Sequence, residues 1–466
     1  MTNITSTVLT HIIIFLMCFY TLSCFTVFLR DDERKTKRIY VRQNVLMFLI
    51  HFLAFLAMFL YTGEMRFIPF YLAQVVLFLA TILLYNFLYP KVSRLIVNNM
   101  CMCIAIGLIM LSRLNFGLAV RQTIFAAIGV IFGLFVPMII RKMHVLAKWR
   151  WIYALLGIGV LLFVYFFYFD TGMGARRTLA FGGLTVQPSE FLKIVFVFFV
   201  AATLKYSTSF KNILLSSVVA GAHILILVRS VDLGTSAIMF VVYVVMIFVA
   251  TRKPLYALAG IAGGAGAAVV GYRLFGHVQV RVAAWQDPLA IFLEGGNQLS
   301  ESLFGIGSGG WFGRGLFGGR PHFIPVVEED FMFAAISEEL GIIFGLALIL
   351  VCVSCYVMFL NVAMDLRQPF YKLVALGLGT TYIFQVFLTI GGAIGFIPST
   401  GVTLPLISYG GSSFLSTMIM FGIIQGLYII REDEEELIEN RKRDPYEEVA
   451  GARKAGKTPQ ARFKEI

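Results

Sequence analysis

Apolar residues occur along this chain in long runs, separated by short polar or charged segments. About thirteen of these runs approach the roughly 20 residues that an α-helix needs to cross a bilayer. They lie near residues 8–29, 43–62, 68–89, 97–112, 123–139, 151–169, 189–204, 213–229, 234–250, 255–276, 331–360, 372–393 and 411–430. The pattern predicts an all-α, polytopic integral membrane protein with about thirteen transmembrane helices.

Basic residues recur in every second connection between these runs. They are Arg34, Lys35, Lys37 and Arg38; Lys91 and Arg94; Arg141, Lys142, Lys148 and Arg150; Lys205 and Lys211; Arg252 and Lys253; Arg367 and Lys372; and several residues of the tail. Lys and Arg concentrate in the cytoplasmic loops of membrane proteins. We therefore expect the N-terminus outside the cell and the C-terminus in the cytoplasm.

Three connections on the opposite, outer side are long: 170–188, 277–330 and 394–410. The middle one is rich in Gly, contains six acidic residues and also carries aromatic side chains that a folded loop can bury. Long structured loops are commonly functional. We expect one long structured extracellular loop and a working face on this side.

Composition narrows the class of protein further. The 466 residues are 59% hydrophobic and only 14% charged, which excludes an ordinary water-soluble protein of this size. In a membrane protein the net charge of +12 indicates cytoplasmic loops and anionic lipid rather than nucleic acid. Cys352 and Cys355 have redox-motif spacing but lie within an apolar run, which favours buried small side chains. The tail 431–466 is predicted to end the last helix and continue as a solvated segment.

Four charged residues surround the start of the run at 189–204: Arg176, Arg177, Glu190 and Lys193. Charge at membrane depth is costly, so it is seldom present for packing alone. Glu190 and Lys193 are three residues apart and are expected to share a helix face. A structural ion pair is the simpler interpretation. Together with the two arginines, however, the lysine would suit a lipid that carries a pyrophosphate.

Three further motifs have a structural interpretation beside a functional one. Arg229 and Asp232 bracket a tight outer turn, which favours a structural ion pair. The glycines of 305–310 match G-x-G-x-x-G without a preceding strand, so close backbone approach is favoured over phosphate binding. The segment 404–413 is equally compatible with a buried re-entrant bend and with a simple loop.

Asp287 and Glu294 are the candidate catalytic residues of the outer loop. A carboxylate that faces a cavity could deprotonate a sugar hydroxyl as it attacks an anomeric carbon. The simpler alternative is an ordinary exposed acid in a solvated loop.

Five motifs together resemble the SEDS family, the FtsW/RodA/SpoVE proteins of bacterial wall synthesis. They are Gly174-Ala-Arg-Arg177 with Gln187-Pro-Ser-Glu190-x-x-Lys193; Asp232-Leu-Gly-Thr235; Ser308-Gly-Gly310-x-x-Gly313-x-Gly315; Asp330-Phe331 with Glu338-Glu339-Leu-Gly341; and Leu404-Pro-x-x-Ser408-Tyr-Gly-Gly-Ser-Ser413. The resemblance covers roughly 97–430, with about ten spans as is typical of the family. It predicts extra N-terminal helices in 1–96, a SEDS-like core in 97–430 and a charged tail in 431–466.

The resemblance implies a peptidoglycan glycosyltransferase of the bacterial cytoplasmic membrane. Such enzymes polymerise lipid II, an undecaprenyl-pyrophosphate-linked disaccharide-peptide, beside a class B penicillin-binding protein. It also implies that Lys193 is the family's functional lysine, and that a divalent cation, Mg or Mn, can assist the pyrophosphate. No dedicated metal site is predicted. The candidate substrate-binding residues are Arg176, Arg177, Glu190, Lys193, Gln298, Ser408 and Ser412.

The chain departs from the family pattern inside the outer loop. Ile291 occupies the position of the expected catalytic Asp, and Asn297 replaces a Tyr. Thr389 stands in a later helix where the family has Asn. Because Ile cannot act as a general base, either Asp287 or Glu294 has taken the role, or the activity is lost or altered. We rank Asp287 first, because Pro288 could fix its approach.

Three hypotheses remain open from the sequence. The first is an enzyme that polymerises lipid II for elongation, division or sporulation. The second is a flippase for the same lipid, which the apolar inner halves of the spans disfavour. The third is a non-catalytic paralogue that scaffolds a penicillin-binding protein, for which Ile291 is the best support.

Overall fold

The computed structural model describes residues 2–30, 32–142, 144–168, 178–181 and 184–454. Within them the chain forms fifteen α-helices. They are α1 (Thr2–Val27), α2 (Glu33–Thr62), α3 (Phe67–Leu88), α4 (Arg94–Leu114), α5 (Phe116–Lys142), α6 (Arg150–Phe167), α7 (Pro188–Tyr206), α8 (Phe210–Arg229), α9 (Leu233–Thr251), α10 (Pro254–Leu274), α11 (Gly276–Gln286), α12 (Asn297–Gly309), α13 (Met332–Asp365), α14 (Pro369–Ala393) and α15 (Gly411–Lys454).

Each of the thirteen apolar runs overlaps one of these helices over most of its length. Twelve helices of the described chain are long and apolar enough to cross a membrane. The remaining one, α7, has 19 residues and carries Glu190, Lys193 and Lys205. The prediction of an all-α, polytopic membrane protein is confirmed. The structure also contains a small antiparallel hairpin, formed by β1 (Leu179–Phe181) and β2 (Leu184–Val186). These two short strands of an outer loop were not predicted from the sequence.

Helix α4 lies at the centre of the bundle, and its apolar stretch is buried along its whole length. A Cβ at Gly107 would lie 2.4 Å from the Ile407 carbonyl oxygen, so only glycine permits this close packing. The amide of Asn99 donates to Ser354 of α13 at 2.8 Å and accepts from Tyr20 of α1 at 3.0 Å. The N-terminal helices therefore pack against the remainder of the bundle within one structure.

Three of the basic connections meet the start of the charged tail at one end of the bundle. Lys91 lies 2.6 Å and Arg141 lies 2.9 Å from carboxylate oxygens of Asp433, and Arg431 lies 3.3 Å from Asp365. Alternate loops thus share one end, as the charge pattern predicts. The expected end of the last helix near 431 was wrong, because α15 continues to Lys454. Ion pairs to neighbouring loops support this charged helical extension.

At the other end, the loop 277–330 is structured, as predicted. It contains α11, α12 and the single helical turns Phe292–Glu294 and Pro321–Phe323. Helix α12 packs so closely on the start of α13 that a Cβ at Gly309 would lie 2.2 Å from the Ser337 carbonyl oxygen. These elements form a folded layer at the end opposite to the basic loops.

Candidate active site

The site begins where the chain enters α7. Pro188 occupies the first turn, where its missing N–H costs no helical hydrogen bond. Asp232 organises this entry, since it accepts from Ser189 at 2.7 Å and from the Gln187 amide at 3.2 Å. Its second carboxylate oxygen accepts from the Thr235 N–H at 3.2 Å and caps α9.

This arrangement corrects the predicted Arg229–Asp232 ion pair. The carboxylate of Asp232 is buried and engaged by α7 and α9, whereas Arg229 is exposed at the end of α8. No ion pair between the two occurs in the part of the chain that the structure describes. The pattern Asp-Leu-Gly-Thr therefore couples the starts of two helices.

Glu190 and Lys193 share one face of α7, as predicted from their spacing. The Lys193 ammonium lies 2.8 Å from a Glu190 carboxylate oxygen, and the two side chains are only 4% and 7% exposed. Lys193 also donates to the Gln385 side chain of α14 at 2.7 Å, and Ser416 of α15 donates to Glu190 at 3.4 Å. Three helices thus converge on one buried ion pair.

Gln385 is a site residue that sequence reasoning missed. Its amide nitrogen donates to the Thr403 carbonyl at 3.0 Å and to the Ser413 hydroxyl at 3.3 Å. Thr403 in turn donates to Ser413 at 2.7 Å. A lone amide within the apolar run 372–393 was the signal available in the sequence.

Thr389, which stands where the family has Asn, has its hydroxyl engaged locally. It donates to the Gln385 carbonyl at 3.0 Å and lies 2.9 Å from the Val402 carbonyl. The residue therefore fastens α14 to the segment that follows it. Its hydroxyl thus bonds backbone carbonyls at the edge of the network, one turn beyond Gln385.

The segment 404–410 is a buried, non-helical bend. Leu404, Ile407 and Ser408 are buried, and Gln122 of α5 donates to the Ser408 carbonyl at 3.3 Å. The Ser408 hydroxyl accepts from the Leu404 N–H at 3.1 Å, which closes the turn. These contacts favour the predicted buried bend over a simple surface loop. Ser412, just beyond it, accepts from the Gln187 N–H at 2.9 Å and joins the α7 network.

The outer loop supplies a second cluster. Arg281 of α11 donates to the Ser399 carbonyl at 2.7 Å, and Trp285 donates to the Gly395 carbonyl at 3.0 Å. Asp287 follows at the end of α11, exposed, and its carboxylate accepts from the Ala290 N–H at 3.0 Å. The carboxylate therefore shapes a tight turn, and its exposure leaves it accessible to a substrate.

Ile291, at the position of the expected catalytic Asp, contributes backbone to the same turn. Its carbonyl accepts from the Gly296 N–H at 2.9 Å. A Cβ at Gly296 would lie 2.0 Å from the Pro288 carbonyl oxygen, so glycine is required for this closure. Gln298 is partly buried in the first turn of α12, and its N–H donates to Asn297 at 2.8 Å.

The structure brings some candidate residues together and separates others. Glu190, Lys193 and Ser412 belong to the α7 network, and Ser408 lies in the adjoining bend. Asp287 and Gln298 belong to the outer-loop cluster. The segment 399–403 joins the two clusters, since Ser399 binds Arg281 and Thr403 binds Gln385. Arg176, Arg177 and the side chain of Glu294 lie outside the described residues.

The glycine motif at 308–315 has a structural role. The N–H groups of Arg314 and Gly315 each donate at 2.9 Å, to the carbonyls of Glu338 and Glu339. A Cβ at Gly313 would lie 2.3 Å from the Glu339 carbonyl oxygen. The amides of Arg314 and Gly315 are thus engaged by backbone carbonyls. Within 305–310, a Cβ at Gly309 would lie 2.2 Å from the Ser337 carbonyl oxygen, which fits the close-approach interpretation.

The acidic residues of the described chain do not gather into a metal centre. No group of three or more described His, Cys, Asp or Glu side chains is placed so that it could hold a metal ion. The polar groups of the two clusters instead bind one another or the backbone. The described residues of the site offer the paired Lys193 and Glu190, with Gln385 beside them, and Asp287 in the outer loop.

Comparison with known proteins identifies the family. The model of the FtsW/RodA/SpoVE family, described as cell cycle proteins, matches residues 93–432. The chain belongs to the FtsW/RodA/SpoVE family. The match begins just before α4, so α1, α2 and α3 precede the family region.

Named relatives extend this result. The peptidoglycan glycosyltransferase RodA of Mycobacterium leprae is 30% identical over 367 residues, which cover 72% of this chain and 77% of that protein. The stage V sporulation protein E of Bacillus subtilis is 33% identical over 326 residues, covering 66% of this chain and 86% of that protein. This chain is thus similar both to a relative named as a peptidoglycan glycosyltransferase and to one named as a sporulation protein.

A solved structure shares the fold. It is described as "Structural coordination of polymerization and crosslinking by a peptidoglycan synthase complex" and aligns with a TM-score of 0.63 at 22% identity. The alignment covers 73% of this chain and 98% of that one. Nearly all of the family fold is therefore present here, with additional chain beyond it.

Proposed function

We propose that this protein is a peptidoglycan polymerase that transfers the disaccharide-peptide of lipid II onto a growing glycan chain at the outer face of the cytoplasmic membrane. The carrying observation is the buried Glu190–Lys193 pair at the end of the bundle opposite to the basic loops. Buried ions within a membrane protein are expensive and mark substrate sites. Its family membership supports a polymerase with the same chemistry.

Lys193 supplies positive charge where the pyrophosphate of the donor lipid would lie. An isolated ammonium could not be buried without a partner, and Glu190 provides it at 2.8 Å. Gln385 fixes the direction of the ammonium at 2.7 Å. We expect Arg176 and Arg177 to add two bidentate phosphate ligands at the same mouth.

The outer loop supplies the base in this proposal. Asp287 accepts the proton of the acceptor sugar hydroxyl, whose oxygen forms a bond to the anomeric carbon of the donor. The bond from that carbon to the lipid pyrophosphate breaks, and the pyrophosphate leaves with the bonding electrons. Exposure of Asp287 at the end of α11 supports this role. Glu294, seven residues further on, is the second candidate.

The proposed orientation places the N-terminus outside and the C-terminus in the cytoplasm. The clustering of basic loops around Asp433 supports it, because such loops face the cytoplasm. Both clusters of the site then face the compartment in which the wall is built. A class B penicillin-binding protein that cross-links the new strands is the partner we propose.

A non-catalytic scaffold is the second candidate function, favoured by Ile291 in place of an acid. One experiment separates the three hypotheses: labelled lipid II is incubated with proteoliposomes of the purified protein, with and without a penicillin-binding protein. Glycan chains support the polymerase. Movement of lipid II across the bilayer without chains would indicate a flippase. Binding of the penicillin-binding protein without glycan chains and without movement of lipid II would indicate the scaffold.

A further inference from the structure

The first helix lies outside the family region yet binds both backbone polar groups of one outer-loop residue, Leu316. The Ser6 hydroxyl donates to the Leu316 carbonyl at 2.7 Å. The Leu316 N–H donates to the Thr10 hydroxyl at 3.3 Å. Leu316 itself is only 1% exposed. One turn of α1 therefore replaces the partners that a strand or helix would normally give this backbone.

Contacts on either side extend this attachment. A Cβ at Gly315, whose φ is +86°, would lie 3.6 Å from the Thr7 Cα. The rings of His11 and Phe312 lie 5.6 Å apart. From α2, Tyr61 stacks on Phe317 with ring centroids 4.5 Å apart and planes 11° apart. Helices α1 and α2 thus both contact the same short segment, residues 312–317.

Phe317 also contacts the family region. The Arg113 guanidinium lies 4.2 Å from the centre of the Phe317 ring, a cation–π distance. Arg113 also lies 2.9 Å from Glu339, which accepts from the Phe317 N–H at 3.1 Å. Phe317 therefore links Tyr61 of α2 to Arg113 of α4, which pairs with the fully buried Glu339.

The segment 312–317 continues into the structure beside the outer-loop cluster. The Arg320 N–H donates to Glu338 at 2.7 Å, and a Cβ at Gly305 of α12 would lie 3.2 Å from the same carboxylate. Helix α12 begins at Asn297, one residue after Gly296 closes the turn that starts at Asp287. An unbroken series of contacts therefore leads from α1 and α2 to the turn of the candidate base.

We propose that α1 and α2 are a brace that positions the outer loop, with Ser6, Thr10 and Tyr61 as positioning residues. Membrane anchoring alone would require only apolar helices. Two hydrogen bonds to the N–H and C=O of Leu316, together with the stacking of Tyr61 on Phe317, instead specify where residues 312–317 lie. The consequence for catalysis rests on the proposed polymerase function; the placement of the loop does not.

The test compares Ser6→Ala/Thr10→Val with Ser23→Ala, since Ser23 bonds only the Phe19 carbonyl of its own helix. Amide hydrogen exchange is measured for the peptide containing residues 312–317 in the full-length protein. Loss of two hydrogen bonds should accelerate exchange there about tenfold, with Ser23→Ala unchanged. Tyr61→Ala should act similarly, whereas Tyr61→Phe keeps the ring and should not. Unchanged exchange in both Ser6→Ala/Thr10→Val and Tyr61→Ala would overturn the brace.

Lipid II polymerisation by the same variants gives the second readout. A displaced loop should lower kcat at least several-fold and leave KM for lipid II nearly constant, because the pyrophosphate network around Lys193 is untouched. Tyr61→Phe should restore the rate. Faster exchange with unaltered kcat would overturn the positioning role. If the wild type itself makes no glycan, the proposed function fails, and the exchange data still decide the brace.

Discussion

At the scale of single residues, the site depends on charges that are buried because they are paired. Lys193 and Glu190 lie 2.8 Å apart, and Gln385 fixes the lysine from another helix. The i,i+3 spacing predicted the ion pair, because both partners lie on one helix. It could not predict Gln385, since that contact depends on how α14 packs against α7. Asp232 was likewise misassigned, because its side-chain partners, Gln187 and Ser189, lie at the distant start of α7.

Lys193→Met should lower the free energy of unfolding by about 3–5 kcal/mol, because Glu190 would remain buried without its cation. Adding Glu190→Gln should recover most of that stability, since a neutral pair needs no counter-charge. Thermal unfolding measures the stability of both variants, and glycan synthesis from lipid II measures their activity. The double variant should stay inactive. Activity in the double variant would show that the Lys193 charge is not used.

At the scale of elements, the helices could be predicted and their irregularities could not. All thirteen apolar runs correspond to helices, because the length of each run approaches what a helix needs to cross a bilayer. The break at Gly341, with φ 84° and ψ 165°, is set by the loop 310–315 that pairs with it. The extension of α15 beyond 431 depends on ion pairs to distant loops such as that of Lys91. Both features are long-range.

Gly341→Ala should destabilise the protein by about 2–4 kcal/mol. A side chain there would adopt a strained backbone conformation, and its Cβ would lie 2.4 Å from the Gly313 nitrogen. Gly307→Ala is the matched control, because Gly307 lies within α12 with open space around it. That control should be neutral or slightly stabilising. Equal melting temperatures for the two variants would contradict the role assigned to the break.

At the scale of the whole molecule, the three helices before the family region belong to the same core. Helix α4, the first of that region, is enclosed, and Asn99 bonds both α1 and α13. The sequence shows that these helices exist and that they precede the family motifs. It could not show their packing, because the polar contacts that join them are single residues in apolar runs.

Fragments 1–90 and 91–466, expressed together, should therefore associate in the membrane and purify as a complex. The larger fragment alone should accumulate poorly, since Asn98 and Asn99 would face lipid. Asn99→Leu should weaken recovery of the complex, whereas Ser112→Ala, which loses only a bond within α4, should not. Full accumulation of 91–466 alone would mean that the N-terminal helices are a separable addition.

The most direct test of the proposed polymerase compares glycan synthesis from labelled lipid II by the wild type and by Asp287→Asn. Asparagine can still accept the Ala290 N–H that shapes the turn, but it cannot take a proton from the acceptor hydroxyl. We predict glycan chains from the wild type and a rate at least about 100-fold lower from the variant. Equal rates would contradict Asp287 as the base, and no chains from the wild type under any condition would contradict the polymerase itself.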